Sequence, residues 1–137
     1  MGGIEWVVDA HGCAPDSLRS PKLLRELFQQ IISDLQLRPV GETLWHQFPN
    51  AGGITGLCLL AESHLTCHTF PEFRSLSLNL FCCVPRENWD FKGALTTTFG
   101  ATSVTIRTLA RSHNPTAAFT AERVANASKL SGESQSI

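Results

Sequence analysis

Two periods alternate along this chain, and the switches between them divide it into elements. Ile4 to Ala10 (IEWVVDA) is rich in β-branched and aromatic residues and stops at His11-Gly12, which predicts a first strand and a turn. In SPKLLRELFQQIISDLQL, apolar Leu24, Leu27, Phe28, Ile31, Ile32 and Leu35 recur at three- and four-residue spacing. Ser20 can cap this helix and Pro21 can fill its first position. Pro39 disfavours helical geometry in Arg38, so the helix should stop near Leu37.

Strands are predicted at Glu42 to Phe48 and at Ile54 to Ala61 (ITGLCLLA), separated by the turn-forming Pro49-Asn50-Ala51-Gly52-Gly53. The unbroken apolar run of the second is consistent with a strand covered on both faces. From Leu76 to Cys83 the period is two. Leucines 76, 78 and 80 and Cys82 point one way, and Ser77, Asn79, Phe81 and Cys83 the other. Asn88 can cap a second helix through Trp89, Phe91, Leu95 and Phe99, which Gly100 would end. Thr102 to Leu109 reads as a last strand. The fold class that follows is α+β, with helices on one face of a largely antiparallel sheet. We expect one domain over residues 1–111 and a mobile tail over 112–137, where the sequence turns to small and polar residues.

Composition narrows the class of function by exclusion. The chain has 137 residues, 42% of them hydrophobic, and a net charge of −1 with no basic block. That length and apolar content suit a single core, and the charge favours neither nucleic acid nor an anionic membrane as partner. No apolar run is long enough to span a bilayer, and MGGIEWVVDA lacks a signal peptide's order, so a cytoplasmic location is expected. Five cysteines without a secretory signal fit reduced thiols better than a disulfide framework.

The reactive side chains crowd into AESHLTCHTFPEF, Ala61 to Phe73. A hydrolase nucleophile at Ser63 lacks the G-x-S-x-G elbow. A metal site at His64, Cys67, His68 and the Cys82-Cys83 pair has the wrong spacing: the histidines sit in extended chain, and adjacent strand cysteines point oppositely. No metal is expected. A third possibility is that Ser63 attacks the carbonyl of Glu62, turns the amide into an ester, and loses the acyl group by elimination to leave a pyruvoyl group. That reaction needs a donor on the Glu62 carbonyl and a base for the serine α-proton, for which His68 and the Thr55 hydroxyl are candidates. The plainest alternative makes Ser63 a strand end, His68 a satisfied strand histidine and Cys83 a small hydrophobe.

GITGLCLLAESHLTCHTFPE followed by LNLFCC resembles the G-V-S-G, E-S-H-x-x-x-H-T-x-P-E and D-x-F-T-C signature of the small prokaryotic S-adenosylmethionine decarboxylases. The resemblance is gapless from Gly53 to Cys83 and looser as far as Arg111. It implies a two-layer α/β sandwich that cuts itself between Glu62 and Ser63 into a β chain 1–62 and an α chain beginning with pyruvoyl. It also implies that His68 and Thr55 serve processing, that Cys83 returns a proton to the substrate, and that Glu72 holds the ribose hydroxyls. Phe48 lies near the adenine-stacking aromatic. A pyruvoyl carbonyl forms a Schiff base with a substrate amine and accepts its electrons, so no external cofactor is required. The implied assembly is a homodimer in which Ser63 and Cys83 of one subunit meet Thr55, His68 and Glu72 of the other.

Some positions depart from the family pattern. Thr55 replaces serine, Asn79 replaces aspartate, Cys82 replaces threonine and Val84 replaces glycine. These changes bear on substrate binding more than on cofactor formation. They leave two alternatives beside S-adenosylmethionine decarboxylation for polyamine (spermidine) synthesis: a pyruvoyl-dependent decarboxylase of ornithine or arginine, and an unprocessed, non-catalytic homologue.

Overall fold

The computed structural model describes residues 2–114, and the expected tail beyond them, 115–137, lies outside the described residues. Ten elements follow one another: β1 (Gly2–His11), α1 (Pro15–Leu18), α2 (Pro21–Asp34), β2 (Leu44–Gln47), β3 (Ile54–Leu60), β4 (Ser63–Phe70), a 3-10 turn (Pro71–Phe73), β5 (Ser75–Cys82), α3 (Phe91–Phe99) and β6 (Ser103–Ser112). The strands form one sheet in the order β2-β3-β4-β5-β1-β6, and every neighbouring pair is antiparallel. The first strand therefore lies between the fifth and the last.

Alternation along the strands decides which face the helices cover. Trp6, Val8 and Ala10 of β1, Leu65 and Cys67 of β4, and Leu76, Leu78 and Leu80 of β5 are buried on one side. Leu24, Leu27, Phe28 and Ile31 of α2, with Phe91, Leu95 and Phe99 of α3, close over them. Burying a side chain of this size contributes roughly 1.5–3 kcal/mol, so this single core carries the fold. Gly56 is required by that packing. A Cβ there would lie 2.4 Å from the Trp45 ring, which crosses the β3 backbone to reach Phe28 at 4.9 Å between centroids.

Three sequence expectations need correction. The first concerns α2, which ends at Asp34 rather than Leu37. Gln36 turns left-handed at φ 54°, and Leu37 N–H donates back to the Ile32 carbonyl at 2.9 Å, a closure that tucks apolar Leu37 inward. The cap of α3 is also different: Asp90 accepts from Gly93 N–H at 2.9 Å, while Asn88 accepts from the Trp6 indole at 3.2 Å. Lastly, β3 is not covered on both faces in the single chain. Ile54, Cys58 and Leu60 enter the core, but Leu57 and Leu59 are 47% and 59% exposed. The opposite sheet face is thus open along its length.

Candidate active site

The β3–β4 connection is as short as an antiparallel pair allows, with Leu60 opposite Ser63 and only Ala61 and Glu62 between them. Short extended segment 38–40 ties this turn down: Ala61 N–H donates to the Arg38 carbonyl, the Arg38 guanidinium meets the Glu62 carboxylate, each at 2.8 Å, and Pro39 bridges to Leu60. Ser63 opens β4 and faces Cys82 across the β4–β5 ladder. Burial raises the Cys82 thiol above its ordinary value, against opposing influences from Arg86 and Ser63. Cys83, one residue past β5, is partly exposed, whereas the other four cysteines are buried. Its backbone N–H donates to the carbonyl oxygen of Glu62 at 2.7 Å. Its own carbonyl accepts from His113 Nε2 at 3.0 Å, so the Cys83 peptides are held from both sides.

A second group gathers at the far end of β4. Thr55 and His68 are register partners, and Thr55 Oγ1 lies 3.0 Å from His68 Nδ1. They line a cavity of about 410 Å³ with Phe48, Phe70 and Glu72. Gly53 stands at its back, where a Cβ would strike the Thr69 carbonyl at 2.5 Å. Glu72 is placed by the 3-10 turn after β4, which closes with Arg74 left-handed at φ 54°. Such a concave surface with an aromatic, a carboxylate and a hydroxyl suits a polar ligand that carries a flat ring.

The chain brings together Ser63, Glu62 and Cys83, and separately Phe48, Thr55, His68 and Glu72. It does not join the two groups. From Ser63 to His68 the strand climbs about 16 Å at roughly 3.3 Å per residue, and an odd offset puts the two side chains on opposite faces. Within one chain His68 cannot reach the Ser63 α-proton.

A model of the S-adenosylmethionine decarboxylase family matches residues 4–112, nearly all of the described body. The chain belongs to that family. Among curated S-adenosylmethionine decarboxylase proenzymes, that of Clostridium kluyveri is 30% identical over 113 residues, spanning 80% of this chain and 86% of the relative. The proenzyme of Archaeoglobus fulgidus is 30% identical over 81 residues, 59% of this chain and 70% of its own length. In fold, the chain is similar to the crystal structure of the adenosylmethionine decarboxylase from Aquifex aeolicus, with a TM-score of 0.67 at 21% identity, covering 82% of this chain and 92% of that one. The two-layer antiparallel architecture is therefore shared beyond what sequence similarity alone displays.

S-adenosylmethionine decarboxylases are pyruvoyl-dependent carboxy-lyases, and their proenzyme names are consistent with a group made by self-processing. Among the described residues no helix is long and apolar enough to cross a membrane, and no cluster of three metal-ligating side chains occurs. Sequence reasoning offered His68 and the Thr55 hydroxyl as candidates for the carbonyl donor and the α-proton base. The donor present is the Cys83 backbone amide, for which a sequence carries no signal, since every residue but proline has an N–H. Arg38 and His113 escaped notice for a similar reason: only register and loop closure bring them to the junction.

Proposed function

We propose that this chain is a self-processing, pyruvoyl-dependent S-adenosylmethionine decarboxylase that cuts itself between Glu62 and Ser63 and supplies decarboxylated S-adenosylmethionine to polyamine (spermidine) synthesis. The observation that carries the reading is the 2.7 Å hydrogen bond from Cys83 N–H to the Glu62 carbonyl, beside the serine that would attack it. A preset donor stabilises negative charge on that oxygen at no reorganisation cost, an effect worth about 3 kcal/mol per donor.

The junction also suits the group it would yield. Ser63 starts a strand after a tight turn, so scission interrupts no ladder internally, and Cys83 lies at the adjacent strand end. In the first step Ser63 Oγ bonds to the Glu62 carbonyl carbon, the amide C–N bond breaks, and the proton passes to the freed nitrogen. A base then takes the Ser63 α-proton while the Cβ–O bond breaks, releasing the Glu62 carboxylate and leaving dehydroalanine. Tautomerisation and one water yield ammonia and the ketone. The pyruvoyl carbonyl supplies an electron sink for decarboxylation.

Residue roles divide between the two ends of β4. His68, hydrogen-bonded to Thr55, serves processing. Phe48 stacks on the adenine and Glu72 holds the ribose. The Cys83 thiol, on the open face, returns the proton after carbon dioxide leaves. The roughly 16 Å between the two groups favours a homodimer in which each site takes Ser63 and Cys83 from one subunit and Thr55, His68 and Glu72 from the other. Exposed Leu57 and Leu59 supply apolar area for such pairing.

Intact mass tests the reading: the purified protein should contain a fragment ending at Glu62, and Ser63→Ala should remain whole. A parent chain that stays uncut while fully folded would overturn the proposal. Carbon dioxide release from S-adenosylmethionine, compared with ornithine and arginine, then identifies the substrate. Release from the amino acids alone would reject the nucleoside assignment.

A further inference from the structure

Cutting before Ser63 creates an anchoring problem at residue 63. The ketoacyl group has lost its bond to Glu62, and with its nitrogen gone as ammonia it can no longer donate an N–H to the ladder. Its remaining covalent tether is the amide to His64. Whatever fixes His64 therefore fixes the direction of the ketone.

His64 is fixed by a closed ring of side chains on the open face. Its imidazole stacks on Phe81 with centroids 5.5 Å apart and planes 24° from parallel. Its Nε2 lies 3.0 Å from Asn79 Oδ1. Asn79 Nδ2 donates to Glu5 Oε2 at 2.8 Å, and Glu5 Oε1 pairs with Arg111 Nη1. The Arg111 guanidinium returns over the Phe81 ring at 5.6 Å from its centroid. The members stand on β4, β5, β1 and β6, so four strands contribute.

The direction of each bond follows from the chemistry. Carboxylate oxygens only accept, so the Asn79 amide must turn its NH2 to Glu5, which leaves Oδ1 facing the imidazole. A carbonyl oxygen also only accepts, and His64 must therefore carry a proton on Nε2. The stack sets the ring plane and the hydrogen bond sets its rotation within that plane. Together they leave the side chain little freedom.

We propose that His64 is the positioning residue for the new α-chain terminus, held in one orientation by Asn79, Glu5, Arg111 and Phe81. This rests on the self-cleavage reading above. The ring acts after the cut, by keeping the ketone aimed at the incoming amine. It does so without touching the substrate.

The test uses the full chain and two variants: His64→Phe, which keeps the stack and loses the Nε2–H donor, and Asn79→Ala, which removes the acceptor without altering the junction. Five quantities are measured: fragment masses, thermal midpoint, kcat, KM with S-adenosylmethionine, and the rate of hydrazone formation with phenylhydrazine. Both variants should be cut like the parent and melt within a few degrees of it. Their kcat should fall about tenfold with KM changed less than about twofold, because a misaimed reacting group costs rate more than binding. The loosened ketone should react with phenylhydrazine several-fold faster. Variants with parental kcat and hydrazone rates would overturn the proposal, as would variants that stay uncut or melt far below a parent that is cut. An uncut parent would instead refute the functional reading beneath it.

Discussion

Cys67 shows how a single enclosed side chain sets the molecule's response to pH. It lies opposite Gly56 in the β3–β4 ladder with no exposed surface, and burial pushes its thiol from 9.0 up to about 12 against a small opposing backbone hydrogen bond. The unfolded chain releases this proton first as pH rises. Its contribution is therefore fully present below pH 9 and is lost as pH climbs toward 12, with a slope of about 1.4 kcal/mol per pH unit while only the unfolded thiol is ionised. Buried Cys13 and Cys82, also raised by burial, act in the same sense. Urea midpoints followed above pH 9 should fall, and Cys67→Ala should show a shallower fall whatever its starting stability. Equal slopes would exclude this cause. Among single side chains, the sequence drew attention to Ser63, His68 and Cys83 by type and position, and to Glu72 through the family resemblance. The amide of Cys83 was not legible, because backbone groups acquire a role only from what folding places against them.

Helices and strands were legible in kind but less so at their ends and faces. Periodicity gave α2, β5 and α3, and it put Cys83 on the face away from the leucines. It misplaced the start of α3, since Asn88 and Asp90 are both good caps and two residues apart. Geometry separates them: Asp90 accepts the Gly93 N–H, while Asn88 is engaged by Trp6. Asp90→Ala should cost about 1 kcal/mol, read as a lower urea midpoint with unchanged slope. A loss confined to Asn88→Ala would contradict the assignment. The apolar run of β3 misled differently. Leucines 57 and 59 are apolar although the chain's own core does not need them, so hydrophobicity alone cannot tell a face buried by helices from one left open.

At the scale of the whole molecule, the separation of the two residue groups makes a prediction about subunits. If each working site spans two copies, Cys83→Ala and Glu72→Ala chains, each poorly active alone, should complement when co-expressed. Random pairing makes half the dimers hybrid, each with one intact site of two, so activity should reach about a quarter of parental. Recovery absent from verified hybrids would place each site within one chain. The family resemblance implies such sharing, but residue spacing could not, because His68 and Ser63 are near neighbours in the chain and far apart on an extended strand.

The position of β1 between β5 and β6 has one more outcome. Under the proposed cut after Glu62, the two pieces would be woven together: the longer piece would grip a rung donated by the shorter on both of its edges. Neither could peel away while the other kept its shape, so such a nick would be mechanically silent. Recovery from denaturation is another matter. An uncut precursor closes this weave at the rate of a tethered chain, whereas severed pieces must find each other by diffusion, and their return should slow on dilution. The proposed maturation would thus trade a reversible molecule for one that is assembled once.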